Sequence, residues 1–293
     1  MRFEYIEPDS IASTLSLLEC HKKRAKILAG GTDLLVKMRR RMIRPEVVIH
    51  IGRIEELKDI RRDPDGSVWI GTLLTMAMIQ ESELLERGFD ILRQGAMQVS
   101  CMQIRNVATV GGNSCNGISS ADTVPPLIAL GAKAKVGVSG GEKEIPMDKF
   151  HLGPGRTALK EDELLLGFKV PPQPPFTGGA YFKYTPRGSF ELATVAVAVL
   201  LTVNPGDLLC EKVRVVLGAC GPTPLRARRA ESILLGNRID DTLIEEAAQK
   251  AAEEARPNPG ISVRASAWYR REMVKVWSRK ALAEAYENAR SAG

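Results

Sequence analysis

Residues 26–35 read KILAGGTDLL, and the fold of the first part of the chain turns on this stretch. Lys26 to Leu28 have strand character, Gly30 and Gly31 break the run, and a helix-type segment follows from Asp33. A strand that passes through a glycine turn into a helix frees several backbone N–H groups, and the helix adds its positive N-terminal end. With the Thr32 hydroxyl beside them, these groups suit a diphosphate. They equally suit a tight turn that holds no ligand. Asp33 favours the helix but lies close to any anion bound there.

Upstream, Asp9 and Ser10 cap a helix whose Ile11, Leu15 and Leu18 recur at helical spacing. Downstream, DLLVKMRRRM predicts a helix over 33–42, EVVIHI a strand over 46–51, and Asp65-Gly66 a turn into a further strand. Two amphipathic segments occupy 75–98, and DTVPPLIALGAKAKVGV predicts a helix that ends at Gly131 and turns into a strand. GISSAD, SGGEKE and HLGPGR read as loops by composition. PPQPPFTGG, residues 171–179, holds four prolines and two glycines and reads as a linker. Beyond it, LATVAVAVLLTV and EKVRVVLGACG are strand-type runs, and two long helical segments follow. That order predicts a second domain at 177–293, an α+β unit with helices covering one sheet face. No internal repeat is evident.

Composition excludes several chemistries. The chain has 293 residues, 44% of them hydrophobic, enough to bury a core and to build more than one domain. The longest weakly polar run, 192–203, is too short to cross a bilayer, which takes about 18 apolar residues. No secretory signal opens the sequence, so a cytoplasmic location is expected. The five cysteines, Cys20, Cys101, Cys115, Cys210 and Cys220, form no CxxC pair, and His21, His50 and His151 stand apart. No metal site of the chain's own is therefore expected, and a reactive centre would come from a cofactor. The net charge of +6 raises nucleic acid, but no recognition motif accompanies the basic runs at 37–44, 226–229 and 270–280. Those runs read better as solvated helix faces or as docking surfaces for an acidic protein.

A second glycine pair lies in QIRNVATVGGNSCNGISSADTVPPL, residues 103–127. Thr109, Gly111, Gly112 and Asn113 offer N–H and amide donors to a phosphate, and Asp122, nine residues beyond Asn113, offers an acceptor to a sugar hydroxyl. Two separated glycine turns in one domain can hold the halves of an extended dinucleotide. Neither matches GxGxxG or GxxxxGK[ST], so no Rossmann site or P-loop is present.

These blocks, with YFKYTPRGSFELATVAVAV, VRVVLGACGPTPLRA and WYRREMVKV in the same order, resemble the FAD-binding medium subunit of the xanthine dehydrogenase and carbon monoxide dehydrogenase family of molybdenum hydroxylases. The resemblance spans essentially the whole chain. It implies an α+β protein: a two-lobed, PCMH-like FAD-binding domain over 1–175, its lobes α/β, then a smaller α+β C-terminal domain. It implies that Leu28, Ala29, Gly30, Gly31, Thr32 and Asp33 form the first FAD loop, and that Thr109, Gly111, Gly112 and Asn113 belong to the second. It places Asp122 near the ribose or adenine, Leu164 and Leu165 as an aliphatic pair on the adenosine side, and Lys183 near the isoalloxazine ring. A cation there would stabilise the anionic reduced flavin. Without the resemblance, Lys183 reads as an ordinary strand-end lysine.

Ala108 departs from the glycine common before TxGGN, and Glu191 stands where Asp is usual. Cys101 and Cys115 flank the second loop and read as inert thiols. Tyr181 and Tyr184 either shield the flavin face or belong to the core. The resemblance further implies non-covalent FAD, no catalytic side chain and no metal in this chain. Molybdopterin would belong to a large partner subunit and [2Fe–2S] clusters to a small one, in a dimer of heterotrimers. Electrons from the clusters would reach NAD⁺ or another acceptor through the flavin. A stand-alone flavin oxidase or reductase and a basic nucleic-acid-binding protein are the alternatives from other classes.

Overall fold

The computed structural model describes residues 2–86, 88–188, 190–258 and 264–292. The first lobe contains β1 (Glu4–Ile6), α1 (Ile11–His21), β2 (Ala25–Leu28), α2 (Leu34–Arg39) and β3 (Val47–His50). Its three strands form a parallel sheet in the order β1-β3-β2. Ser10 caps α1 by accepting the Ser13 N–H at 3.3 Å, as the sequence predicts. The helix expected over 33–42 is shorter, because Arg40 leaves the helix and Arg41 takes φ +59°. Lys37, Arg40, Arg41 and Arg44 carry like charges at helical neighbour spacings, which disfavours extension.

The second lobe begins with β4 (Ile60–Arg62) and β5 (Val68–Gly71), followed by α3 (Met76–Glu81), α4 (Asp90–Met97), α5 (Met102–Arg105), α6 (Val110–Cys115) and α7 (Val124–Ala129). Strands β6 (Lys133–Val138), β7 (Gly141–Pro146), β8 (His151–Gly153), β9 (Arg156–Thr157) and β10 (Leu164–Val170) complete it. Its main sheet, β4-β5-β10-β6-β7, is antiparallel throughout, so this lobe is not the α/β unit expected. Two expected loops are hairpins. SGGEKE contributes β7, joined to β6 by the two-residue turn Ser139-Gly140 with Gly140 at φ +85°. Composition hid this strand because it is a charged edge, paired across by Lys133–Glu144 at 3.0 Å and Lys135–Glu142 at 3.2 Å. HLGPGR forms the small β8–β9 pair.

The chain then enters β11 (Thr177–Tyr184), β12 (Val195–Val203), β13 (Cys210–Gly218) and β14 (Leu225–Arg226), followed by α8 (Arg228–Leu234), α9 (Asp241–Glu254) and α10 (Ala267–Ser291). The proline-rich linker is shorter than expected: Thr177, Gly178 and Gly179 already pair in β11 with Thr202, Leu201 and Leu200. These glycines serve packing. A Cβ on Gly178 would lie 2.1 Å from the Ala289 N atom of α10. Gly178→Ala is therefore expected to destabilise the protein by about 1–3 kcal/mol through overpacking, measured by denaturant unfolding.

Every residue of β12 is buried. Its Val195, Val197, Val199, Leu201 and Val203 pack with α8, α9 and α10, while Ala196, Ala198 and Leu200 join the core of the second lobe. The sheet is covered on both faces, by its own helices and by the preceding domain, where one covered face was expected. Arg214 of β13 crosses that junction and donates to the Ala129 carbonyl at the end of α7, 2.9 Å away.

Candidate functional site

The first loop runs from Leu28, paired with His50 in the parallel sheet, to the start of α2. Among the described residues, the backbone N–H groups of 29–34 find no acceptor in the chain, and Asp33 makes no side-chain cap. The loop is therefore a row of open donors at a positive helix end. Gly31 holds φ +73°, in the left-handed region that favours glycine. Gly30 has a different reason: a Cβ there would lie 1.8 Å from the Val107 carbonyl oxygen. That contact joins the first loop to the segment that leads into the second. Lys37 of α2 adds a bond to the Asn116 side-chain oxygen beyond α6.

The second loop is built otherwise. Thr109 caps α6, its hydroxyl accepting the Gly112 N–H at 3.1 Å. The Val110 N–H donates to the Leu74 carbonyl, Gly111 N–H to Thr72 and Asn113 N–H to Thr109. The glycine pair was expected to supply backbone donors, but these N–H groups are already spent inside the protein. What remains open is the Thr109 N–H and the Asn113 side-chain NH₂. The two glycines have separate jobs. Gly111 is buried, and a Cβ would meet the Thr72 hydroxyl oxygen at 1.7 Å, whereas Gly112 is exposed and meets only Thr109 Oγ1 at 3.0 Å. Gly112 thus leaves a bare backbone surface that a ligand can approach closely.

Asn113 also fixes what lies next. Its side-chain oxygen accepts the Thr123 hydroxyl at 2.7 Å, which sets Asp122 beside the second loop. Asp122 Oδ2 accepts Lys183 Nζ at 2.8 Å, and Asp122 Oδ1 accepts the Tyr181 hydroxyl at 2.9 Å. Asp122 and Lys183 were assigned to opposite ends of a dinucleotide, yet they form one buried ion pair and face one region. Lys183 also donates to the Gln98 carbonyl at 2.8 Å, which leaves one of its three ammonium hydrogens for a ligand. The cation expected near the isoalloxazine ring is half of a buried ion pair. Burial pushes the Asp122 carboxyl above its ordinary range, against the lowering effect of Lys183 and of the Tyr181 hydrogen bond. Burial and the nearby carboxylate push the Tyr181 hydroxyl well up too.

Strand alternation decides the remaining assignments. Tyr181 and Lys183 share one face of β11, and Tyr181 is a core residue bound to Asp122. Tyr184 faces the other way, its hydroxyl 2.7 Å from that of Tyr269 and its ring stacked near Trp277, so it does not share the face of Lys183. Leu164 and Leu165, expected as a pair on one surface, point to opposite sides of β10. Leu164 packs in the first-lobe core with Leu18 and Leu73, and Leu165 packs in the second-lobe core. Glu191 binds Arg187. Gln94, which accepts the Tyr181 N–H at 2.7 Å, Gln98 and Val107 adjoin these groups without any signal in the sequence, while of the two tyrosines singled out there Tyr181 is the one bound to Asp122. Among the described residues no group of His, Cys, Asp and Glu could hold a metal, and no helix is long and apolar enough to cross a membrane.

A donor-rich loop, the segment of the second glycine turn packed against it and a buried ion pair beyond them lie together on a two-lobed domain. Residues 1–173 match the family described as the FAD binding domain in molybdopterin dehydrogenase, and 180–285 match the CO dehydrogenase flavoprotein C-terminal domain. The chain belongs to this family. It is 32% identical over 282 residues to a xanthine dehydrogenase FAD-binding subunit of Escherichia coli O157:H7, covering 96% of this chain and 95% of that one. It is 31% identical to the carbon monoxide dehydrogenase medium chain of Afipia carboxidovorans over 99% of this chain and 98% of that one. Carbon monoxide dehydrogenase from Hydrogenophaga pseudoflava, in a form lacking the Mo-pyranopterin moiety, superposes with a TM-score of 0.93 at 31% identity, with 98% of each chain covered. The protein is thus an FAD-binding subunit of the molybdenum hydroxylase type and a component of an oxidoreductase.

Proposed function

We propose that this chain binds FAD non-covalently across its two loops and serves as the electron-transfer subunit of a cytoplasmic heteromeric complex. The observation that carries the reading is the row of open N–H groups at 29–34, pressed by Gly30 against the second loop. Residues 28–33 would hold the diphosphate through backbone donors and the Thr32 hydroxyl. Thr109 and Asn113 would add an N–H and an amide from the second side, with Gly112 allowing close approach. Gly111 supports that loop from behind. Asp122 and Lys183 would meet the ligand together at one region, with the remaining Lys183 hydrogen aimed at it. Of the aliphatic pair, Leu164 and Leu165, at most one faces the ligand.

When bound, FAD supplies redox chemistry that links one-electron carriers, such as the [2Fe–2S] clusters of a small partner subunit, to NAD⁺ or another acceptor. Molybdopterin would reside on a large partner subunit, and the whole would assemble as a dimer of heterotrimers. No side chain of this chain acts as acid, base or nucleophile in this reading. The first check is the visible spectrum of the purified chain: a yellow protein with stoichiometric FAD is expected. A colourless protein that takes up no FAD on reconstitution would sink the proposal.

A further inference from the structure

The three basic runs have different fates in the fold. Arg226 forms a bidentate pair with Glu231, Arg228 pairs with Asp148, and Arg229 pairs with Glu253. In the third run Arg270 donates to the Thr194 and Ala219 carbonyls, Lys275 and Arg279 meet Glu245, and Lys280 lies over Trp277. The second run is thus matched by three carboxylates, and the third, Arg271 apart, is engaged within the chain by one carboxylate, two carbonyls and a ring.

The first run is not. Lys37 is bound to Asn116, but among the described residues Arg39, Arg40, Arg41 and Arg44 make no ion pair or hydrogen bond from their side chains. No acidic residue occurs between Asp33 and Glu46, and Glu46 pairs with Arg24. Of α2 only Met38 is buried. Leu35, Val36 and Met42 are 49%, 45% and 68% exposed among these cations. Six residues of helix span roughly 9 Å, so this face lies one short helix from the donor row of the first loop.

We propose that residues 35–44 form the docking face for an acidic protein surface with an apolar centre, carried by the subunit that exchanges electrons with this chain. The inference rests on the flavin-subunit reading above. Exposed Met and Arg around an apolar centre are what protein interfaces enrich. A nucleic acid is a poorer fit, because no aromatic lies between Tyr5 and Trp69 to stack a base. A membrane is a poorer fit too, because a six-residue helix offers too little apolar area to lie in the headgroup region. Four desolvatable cations beside the flavin loop would steer an acidic partner to the side where electron exchange needs it.

The test uses the heteromeric complex carrying Arg40→Glu/Arg41→Glu/Arg44→Glu, with Lys22→Glu/Lys149→Glu/Lys212→Glu as an equal charge change at other exposed positions. The arginine variant is expected to keep its FAD absorbance and thermal midpoint while its dissociation constant for the partner chains rises about tenfold or more, with the difference shrinking at high salt. The lysine variant is expected to bind as wild type. Where the arginine variant misfolds, phenylglyoxal labelling of the wild type decides: Arg39 to Arg44 are expected to be protected in the complex and reactive in the free chain. Unchanged affinity and salt dependence, or equal labelling in both states, would overturn the docking face. So would retention of the free chain on duplex DNA or phosphatidylglycerol vesicles at physiological salt that the arginine variant loses. A yellow chain with partners but reactive arginines fails only this proposal. A chain that takes up no FAD and carries no partners fails the parent reading, and the docking face with it.

Discussion

Gly112→Glu is expected to abolish FAD binding at micromolar flavin while leaving the fold intact. Residue 112 is the third helical position of α6, after the Thr109 cap, so a glutamate there completes a Thr-x-x-Glu capping box. Local helix energetics therefore favour the substitution, and the only crowding is Thr109 Oγ1 at 3.0 Å. Against a bound diphosphate the new carboxylate costs about 3 kcal/mol or more, roughly a hundredfold or greater loss of affinity. Gly112→Gln brings nearly the same bulk without the charge and should lose far less. Flavin titration followed by absorbance, with thermal melting of each variant, separates the effects. Stoichiometric FAD retained by Gly112→Glu would move the phosphate site away from this loop.

The neighbouring glycines make the opposite control. Gly111→Ala drives a Cβ into the Thr72 side chain at 1.7 Å, and Gly30→Ala drives one into the Val107 carbonyl at 1.8 Å. Both should lower stability before any ligand is considered.

Lys183→Met should cost about 3–5 kcal/mol of stability at neutral pH, because it leaves the buried Asp122 carboxylate without its cation. The pH dependence follows from the direction of the Asp122 shift. Burial raises its folded-state pKa, and removing Lys183 removes the main opposing influence. A carboxyl raised on folding contributes stability that is fully present below its unfolded value and lost as pH rises through its folded value. The deficit of Lys183→Met should therefore shrink on acidification from neutral pH toward the ordinary carboxylate range. Lys183→Met/Asp122→Asn should recover much of the loss at neutral pH, since no buried charge remains unpaired. Denaturant unfolding across pH checks both statements, and a pH-independent deficit that the second substitution does not relieve would count against the pair.

Asp122→Asn alone carries the argument to function. It converts a neutral pair into a buried cation, still tied to the Gln98 carbonyl. With Lys183 near the isoalloxazine, as the family resemblance implies, the midpoint potential of the bound flavin should rise, because a net positive charge favours the anionic reduced form. An unchanged potential would place the pair away from the ring.

How much of this the sequence determines depends on the range of the interaction involved. Helix caps, the end of α7 at Gly131 and the β12 run follow from local rules, because capping, left-handed turns and a continuous run of β-branched and apolar residues act over a few residues. The two glycine loops were legible for the same reason, and the family resemblance rests on them. Composition misled where a strand is a charged edge, as in β7, whose partners lie across the sheet. Only the tertiary structure decided that the N–H groups of the second loop are spent on Thr72, Leu74 and Thr109, that Leu164 and Leu165 face different cores, and that Asp122 and Lys183 neutralise each other across 61 residues. The same holds for which basic run stays unpaired. Each of these is a question of which distant group satisfies a donor, a face or a charge. A sequence states that the group exists, and only packing says who meets it.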